Sequence, residues 1–171
     1  MEEKMTKTPS NVGNKMTLWG VSPKMILILF PFIVFFSILH FMYYPLFIIP
    51  VQHIWMIIIG IALIIIGFVI YLKSITVINK AFVNQKLLTT GVYGHMRHPL
   101  YSAFILFITP GIACIFNSWI LFFIPISYYI IFRVLIKQEE NYCLEKFGEK
   151  YAHYKKYVHA LFPKLRKYKP L

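Results

Sequence analysis

Three apolar stretches decide what this chain can fold into. Met25 to Ile49, Ile54 to Leu72 and Leu100 to Phe132 contain no Asp, Glu, Lys or Arg. A bilayer hydrocarbon core of about 30 Å takes about 20 apolar residues per helix. The first two stretches meet that requirement directly. The third is too long for one span, and Asn117-Ser118 near its middle reads as the turn of a helical hairpin. Four spans follow, over 25–46, 54–72, 100–115 and 119–136. Pro31 and Pro45 mark places where the first can bend or break, and Pro110-Gly111 weaken the third in a way that a membrane bundle tolerates. With 58% hydrophobic residues and a mean hydropathy of +0.65, the composition is that of an integral membrane protein. The expected fold class is all-α: a polytopic helical bundle of about four transmembrane helices plus a C-terminal amphipathic helix. No small-residue cleavage site follows the first stretch, so it reads as a retained helix rather than a signal peptide.

The net charge of +12 raises the question of nucleic acid, and its distribution answers it. Lys4, Lys7, Lys15 and Lys24 precede the first span. Lys73, Lys80, Lys86 and Arg97 lie between the second and third. Lys137 and a Lys-rich tail follow the fourth. Residues 45–53 and 116–118 hold no Lys or Arg. This is the positive-inside pattern for an even number of spans, with both termini expected in the cytoplasm. The membrane would be the bacterial cytoplasmic one, or the endoplasmic reticulum in a eukaryote. The basic surface suits anionic lipid headgroups, and no nucleic-acid recognition motif accompanies it. Cys114 and Cys143 fall on opposite sides of the membrane in this topology, in no CxxC or metal-ligand spacing. They read as small apolar side chains, with no metal expected.

Along the chain, residues 1–23 form a polar N-terminal segment broken by Pro9, Gly13, Gly20 and Pro23, and residues 24–171 a single membrane domain. Leu144, Phe147, Tyr151, Tyr154, Val158 and Leu161 recur at steps of three and four. That spacing predicts an amphipathic helix over 137–162, with Gly148 as a place to break.

The polar residues cluster at two places. The chain has no Asp, and four of its six Glu residues lie just beyond the fourth span, at Glu139, Glu140, Glu145 and Glu149. Glu145 and Glu149 sit at helical spacing from lysines on a solvated face. Glu139 and Glu140 lie within a turn of the membrane boundary, where an unpaired carboxylate is costly. The second cluster opens the third span: Gly91-Val92-Tyr93-Gly94, then Arg97-His98-Pro99-Leu100-Tyr101. Proline in a first helical turn, a snorkelling arginine and turn glycines are each structurally ordinary. Together in eleven residues they put a helix N-terminus, a guanidinium and an imidazole at one point, a plausible anion site. No strand precedes it, and the spacing matches neither a P-loop nor a dinucleotide fingerprint. Cationic cluster and acid pair flank one membrane hairpin and can together hold a small zwitterion.

At these residues the chain resembles the isoprenylcysteine carboxyl methyltransferase family and the wider group of small membrane methyltransferases that includes phospholipid N-methyltransferases. The resemblance runs through Thr90 to Tyr93, Arg97 to Tyr101, the uncharged hairpin, Glu139-Glu140 and Phe147 to Val158, over about residues 76–163. It implies S-adenosylmethionine as methyl donor. It implies cofactor contacts at Gln85, Lys86, Leu87, Leu88, Tyr93, His98, Pro99, Leu100, Tyr101 and Glu139. Arg97, His98 and Glu140 are the candidate catalytic residues. His98 and the helix N-terminus suit the donor's carboxylate, Glu139 its positive or hydroxyl-bearing parts, and Tyr93 and Tyr101 offer aromatic faces. Where the eukaryotic prenylcysteine enzymes carry a second Arg near the end of the last span, this chain has Leu135, and Arg133 is the nearby candidate for binding the acceptor.

The expected function is therefore methylation of an apolar or lipid-linked acceptor, such as a prenylcysteine-like carboxylate, at the cytoplasmic membrane face. Expected partners are membrane lipids and that acceptor, with no nucleic acid. Two alternatives stand beside it: a phospholipid amine N-methyltransferase or small-thiol S-methyltransferase on the same scaffold, and a non-catalytic membrane protein.

Overall fold

The computed structural model describes residues 20–84, 87–164 and 168. Gln85 and Lys86, two of the expected cofactor contacts, lie outside the described residues. Helix α1 spans Ser22–Met42, α2 His53–Asn84, α3 Pro99–Ile115, α4 Phe123–Phe147 and α5 Glu149–Tyr157. Short 3₁₀ turns at Tyr44–Phe47, Gly91–Gly94 and Ile120–Phe122 join them. Helices α1, α2 and α4 are long and apolar enough to cross a membrane, and α3 is a shorter apolar helix.

Loop pairing fixes how the four long elements alternate. Trp119 N–H donates to Phe47 O and Ile49 N–H to Asn117 O, so the α1–α2 and α3–α4 connections meet at one end of the bundle. Asn117 sits at φ 48° there, in the turn that the sequence predicts. Trp55, Trp119, Tyr43 and Tyr44 stand exposed around that end, as interfacial aromatics do. The start of α1, the start of α3 and the acid pair of α4 therefore gather at the opposite end. Between the ends the surface is apolar: Leu27, Phe30 and Phe35 of α1 and Ile54, Ile58 and Ile65 of α2 all face outward. Such a surface needs lipid as its solvent.

Three spans end elsewhere than the sequence predicts, and the second, expected over 54–72, runs on as α2 to Asn84. The first span ends at Met42, because Pro45 supports a 3₁₀ turn and not a further α turn. Pro31 is accommodated within α1. The last span does not stop at 136. Helix α4 runs on to Phe147, so Glu139 and Glu140 project from the same rod that crosses the membrane. In place of one amphipathic helix over 137–162, Gly148 (φ 53°, ψ −132°) turns the chain into α5, which ends at Tyr157, and the chain after it is irregular. Of the expected apolar stripe, Tyr151, Tyr154, Val158 and Leu161 are buried, whereas Leu144 is 43% exposed.

Close backbone approach sets the α2–α3 pair. A β-carbon on Gly60 would lie 2.6 Å from Gly111 O, and one on Gly111 2.8 Å from Gly60 O. Small residues let membrane helices touch in this way. Pro110 is absorbed by a π-helical segment at Ala103–Ile108, where Thr109 N–H and its hydroxyl both donate to Phe104 O. At the motif-bearing end, the core joins Val21, Met25 and Leu29 to Tyr101 and Ile105 and to Tyr128, Phe132 and Ile136.

Candidate active site

The two sequence clusters meet at that end. Arg97 and His98 immediately precede α3, and Pro99 takes its first position, where a missing N–H costs nothing. Glu139 and Glu140 come from α4 and Lys155 from α5. Glu140 is buried and saturated. Its Oε1 accepts from Arg97 Nη2 at 2.6 Å and Nε at 3.1 Å, with His98 Nε2 at 3.4 Å, and its Oε2 takes Lys155 Nζ at 2.9 Å. Arg97 is saturated in turn, because Nη1 donates to Lys155 O at 2.8 Å and Val158 O at 2.6 Å. These two carbonyls belong to the end of α5, where a cation is favoured.

Glu139 differs. Its Oε1 accepts from the Tyr101 hydroxyl at 2.7 Å and from Val21 N–H at 2.8 Å. Its Oε2 has no hydrogen bond among the described residues and lies 3.7 Å from His98 Nδ1, beyond hydrogen-bond range. His98 thus stands between the two carboxylates, with its ring against Phe132 and Tyr101. Both ring nitrogens face acids, so His98 is less suited to a carboxylate ligand than the sequence suggests. Tyr101 is the hub, since its hydroxyl also receives Ser22 Oγ at 3.1 Å.

The irregular segment after α5 closes the underside. Arg97 N–H donates to His159 O, His98 N–H to Ala160 O, and Lys164 N–H to His95 O. Ser102 Oγ donates to Leu161 O at 2.5 Å. Tyr154 donates its hydroxyl to Tyr93 O at 2.6 Å. Burial pushes the phenols of Tyr93 and Tyr154 well above their ordinary range, so both stay protonated and Tyr154 remains a donor at any working pH. Leu87 packs on the cluster of Tyr151, Tyr154 and Val158. Leu88 and Leu100 are half-buried and Pro99 is buried nearby.

Arg133 stands apart. It is exposed on α4, with Nη1 3.3 Å from the Tyr129 hydroxyl. Its position is about 10 Å along the helix from Glu140, nearly on the same face.

The sequence did not single out Lys155, Val21 or Ser22. Lys155 lies within the matching motif and offered a signal. The Val21 contact is a backbone N–H and offered none.

A sequence model of the phospholipid methyltransferase family matches residues 55–150, more than half of the chain. Protein-S-isoprenylcysteine O-methyltransferase B of Arabidopsis thaliana is 28% identical over 121 residues, covering 66% of this chain and 61% of that protein. The probable protein-S-isoprenylcysteine O-methyltransferase of Oryza sativa subsp. indica is 28% identical over 114 residues, covering 61% and 60%. The chain thus spans about three fifths of the length of these curated relatives.

Proposed function

This chain belongs to the phospholipid methyltransferase family, and on that footing we propose that it is an S-adenosylmethionine-dependent methyltransferase acting on an apolar or lipid-linked acceptor at the cytoplasmic membrane face. The observation that carries the reading is the junction of the two motifs: Tyr101 on Glu139 and Arg97 on Glu140, across one membrane hairpin.

The residues present fit such a donor. Glu139 Oε2 is an open anionic acceptor for an ammonium or a ribose hydroxyl, and the faces of the aromatic rings beside it would suit a sulfonium or an adenine. When bound, S-adenosylmethionine supplies a methyl group whose bond to sulfur breaks as the acceptor's heteroatom bonds to carbon. The protein's part is to hold the partners in line and keep water out. Glu139, His98 and Tyr101 would touch the donor. Tyr93, Leu87, Leu88, Pro99 and Leu100 would line its pocket, a role carried by the family resemblance. Arg97 and Glu140 act as positioning residues in this reading, because their polar atoms are consumed in fixing α5 against α3. A carboxylate acceptor needs no base. For an amine, His98 would take the proton in this reading. In this reading Arg133, exposed on α4, would meet an anionic group of the acceptor.

The named relatives favour a prenylcysteine-like carboxylate, whereas the matching family description favours a phospholipid amine as the second reading. Calorimetric titration of S-adenosylmethionine into the detergent-purified protein, with Glu139→Ala as control, tests the class. Saturable binding lost in the variant is expected, and no binding by folded wild type refutes it. Labelled-donor transfer into membrane extracts then separates the acceptors. Label released by mild base marks a methyl ester, and base-stable label marks the amine.

A further inference from the structure

The turn that leads into α1 is built against the open carboxylate. Gly20 has φ 52°, in the region that favours glycine, and a β-carbon there would overlap Glu139 Oε1. The turn delivers Val21 N–H to that oxygen at 2.8 Å and the Ser22 hydroxyl to Tyr101, which bonds the same oxygen. Val21 and Met25 anchor it, 5% and 0% exposed, in the core shared with Tyr101 and Phe132. One oxygen of Glu139 is thus taken by a donor from the α1 turn and a donor from α3, and the other is left toward His98.

We infer that the Gly20–Val21–Ser22 turn is part of the donor site, with Gly20 and Ser22 as positioning residues that fix which oxygen of Glu139 is offered to the donor's ammonium or hydroxyl. The inference rests on the methyltransferase reading and deepens it. Without the turn, Glu139 can rotate, and its lone pairs can be spent on Tyr101, His98 or water. With it, the carboxylate is set before the ligand arrives, which removes an ordering cost from binding. The turn lies outside residues 55–150, the region matched by the family model.

The test measures donor affinity in the absence of acceptor. S-adenosylmethionine is titrated calorimetrically into the full chain in detergent, for wild type, Gly20→Ala and Ser22→Ala, with thermal melts in parallel. Gly20→Ala should weaken binding by about tenfold or more, because a charge-assisted contact loses its alignment. Ser22→Ala, which removes one support of Tyr101, should weaken it by about threefold. A turn that merely caps α1 would lower the melting temperature and leave affinity unchanged. Folded Gly20→Ala with affinity within about twofold of wild type overturns the inference while the donor reading stands. If Gly20→Ala does not fold, Ser22→Ala decides by the same criterion. Wild type that binds no donor overturns the donor reading and this inference together.

Discussion

Arg97 grips a single oxygen of Glu140 with two donors, Nη2 at 2.6 Å and Nε at 3.1 Å, and spends its remaining amino group on the carbonyls of Lys155 and Val158. The arginine is therefore a tie between three elements: the approach to α3, the end of α4 and the end of α5. Both partners are nearly buried, with side-chain exposures of 11% and 9%. Removing the guanidinium would strand a buried carboxylate. Arg97→Ala should lose about 3–5 kcal/mol of stability, the usual cost of breaking a buried pair from one side. Arg97→Lys keeps the charge but not the fork, and should fall in between. Denaturant melts in detergent check both, and a loss below about 1 kcal/mol for Arg97→Ala would place the tie elsewhere.

In the proposed reading, Arg133 belongs to the acceptor and not to the donor. It makes no contact with Glu139 or His98 among the described residues, and its hydrogen bond runs to Tyr129. Arg133→Gln should leave S-adenosylmethionine affinity at the wild-type value. For an anionic acceptor it should raise the acceptor KM by about tenfold, the scale of one charge-assisted bond. An unchanged acceptor KM would remove Arg133 from the site.

These two arginines show what the sequence could and could not reveal. Arg97 lies inside a motif and reads as catalytic, whereas Arg133 lies between the motifs and reads as binding the acceptor. Residue type alone does not tell a buried tie from an exposed cation. What separates them is burial: Arg97 lies under α5, whereas Arg133 faces outward. The hairpin was legible because Asn117-Ser118 interrupts an uncharged run, and the meeting of residues 97–101 with 139–140 followed from where that hairpin returns. Helix beyond 136 was legible from the stripe over 137–162, but its continuity with the last span, as one rod to Phe147, was not. Charged residues past 136 look like the end of a span, yet a helix does not stop where its environment changes from lipid to water. Nor was the Val21 contact, since a backbone donor leaves no mark in side-chain identity.

Tyr151 offers a test on stability alone. Its hydroxyl is buried with no hydrogen-bond partner among the described residues. An unpaired buried hydroxyl costs about 1–3 kcal/mol. Tyr151→Phe removes it and keeps the ring packed against Tyr154 and Val158. The variant should melt at or above the wild-type temperature. A clear drop would mean that the hydroxyl has a partner that stabilises the fold.

The α2–α3 crossing depends on Gly60 and Gly111. Gly60→Ala places a methyl group 2.6 Å from a backbone oxygen, which has no flexible end to swing away. The helices must separate, at about 1–3 kcal/mol for an overpacked contact. Because α3 carries Tyr101, donor affinity should fall together with stability in this variant. Stability lost with affinity intact would show that α3 holds its place through α4 alone.

Gly148 isolates a backbone effect from a contact. It has φ 53° and ψ −132°, and an added β-carbon would meet nothing within 4 Å. Any cost of Gly148→Ala is therefore conformational, about 1–3 kcal/mol for a non-glycine residue held in so sparse a region. The chain can avoid that cost by straightening α4 into α5, which would pull Lys155 from Glu140 and the Val158 carbonyl from Arg97. Proteolysis after α5 reports which route is taken. Strain alone leaves residues 158–164 protected, whereas a straightened helix exposes them and weakens donor binding in the same variant.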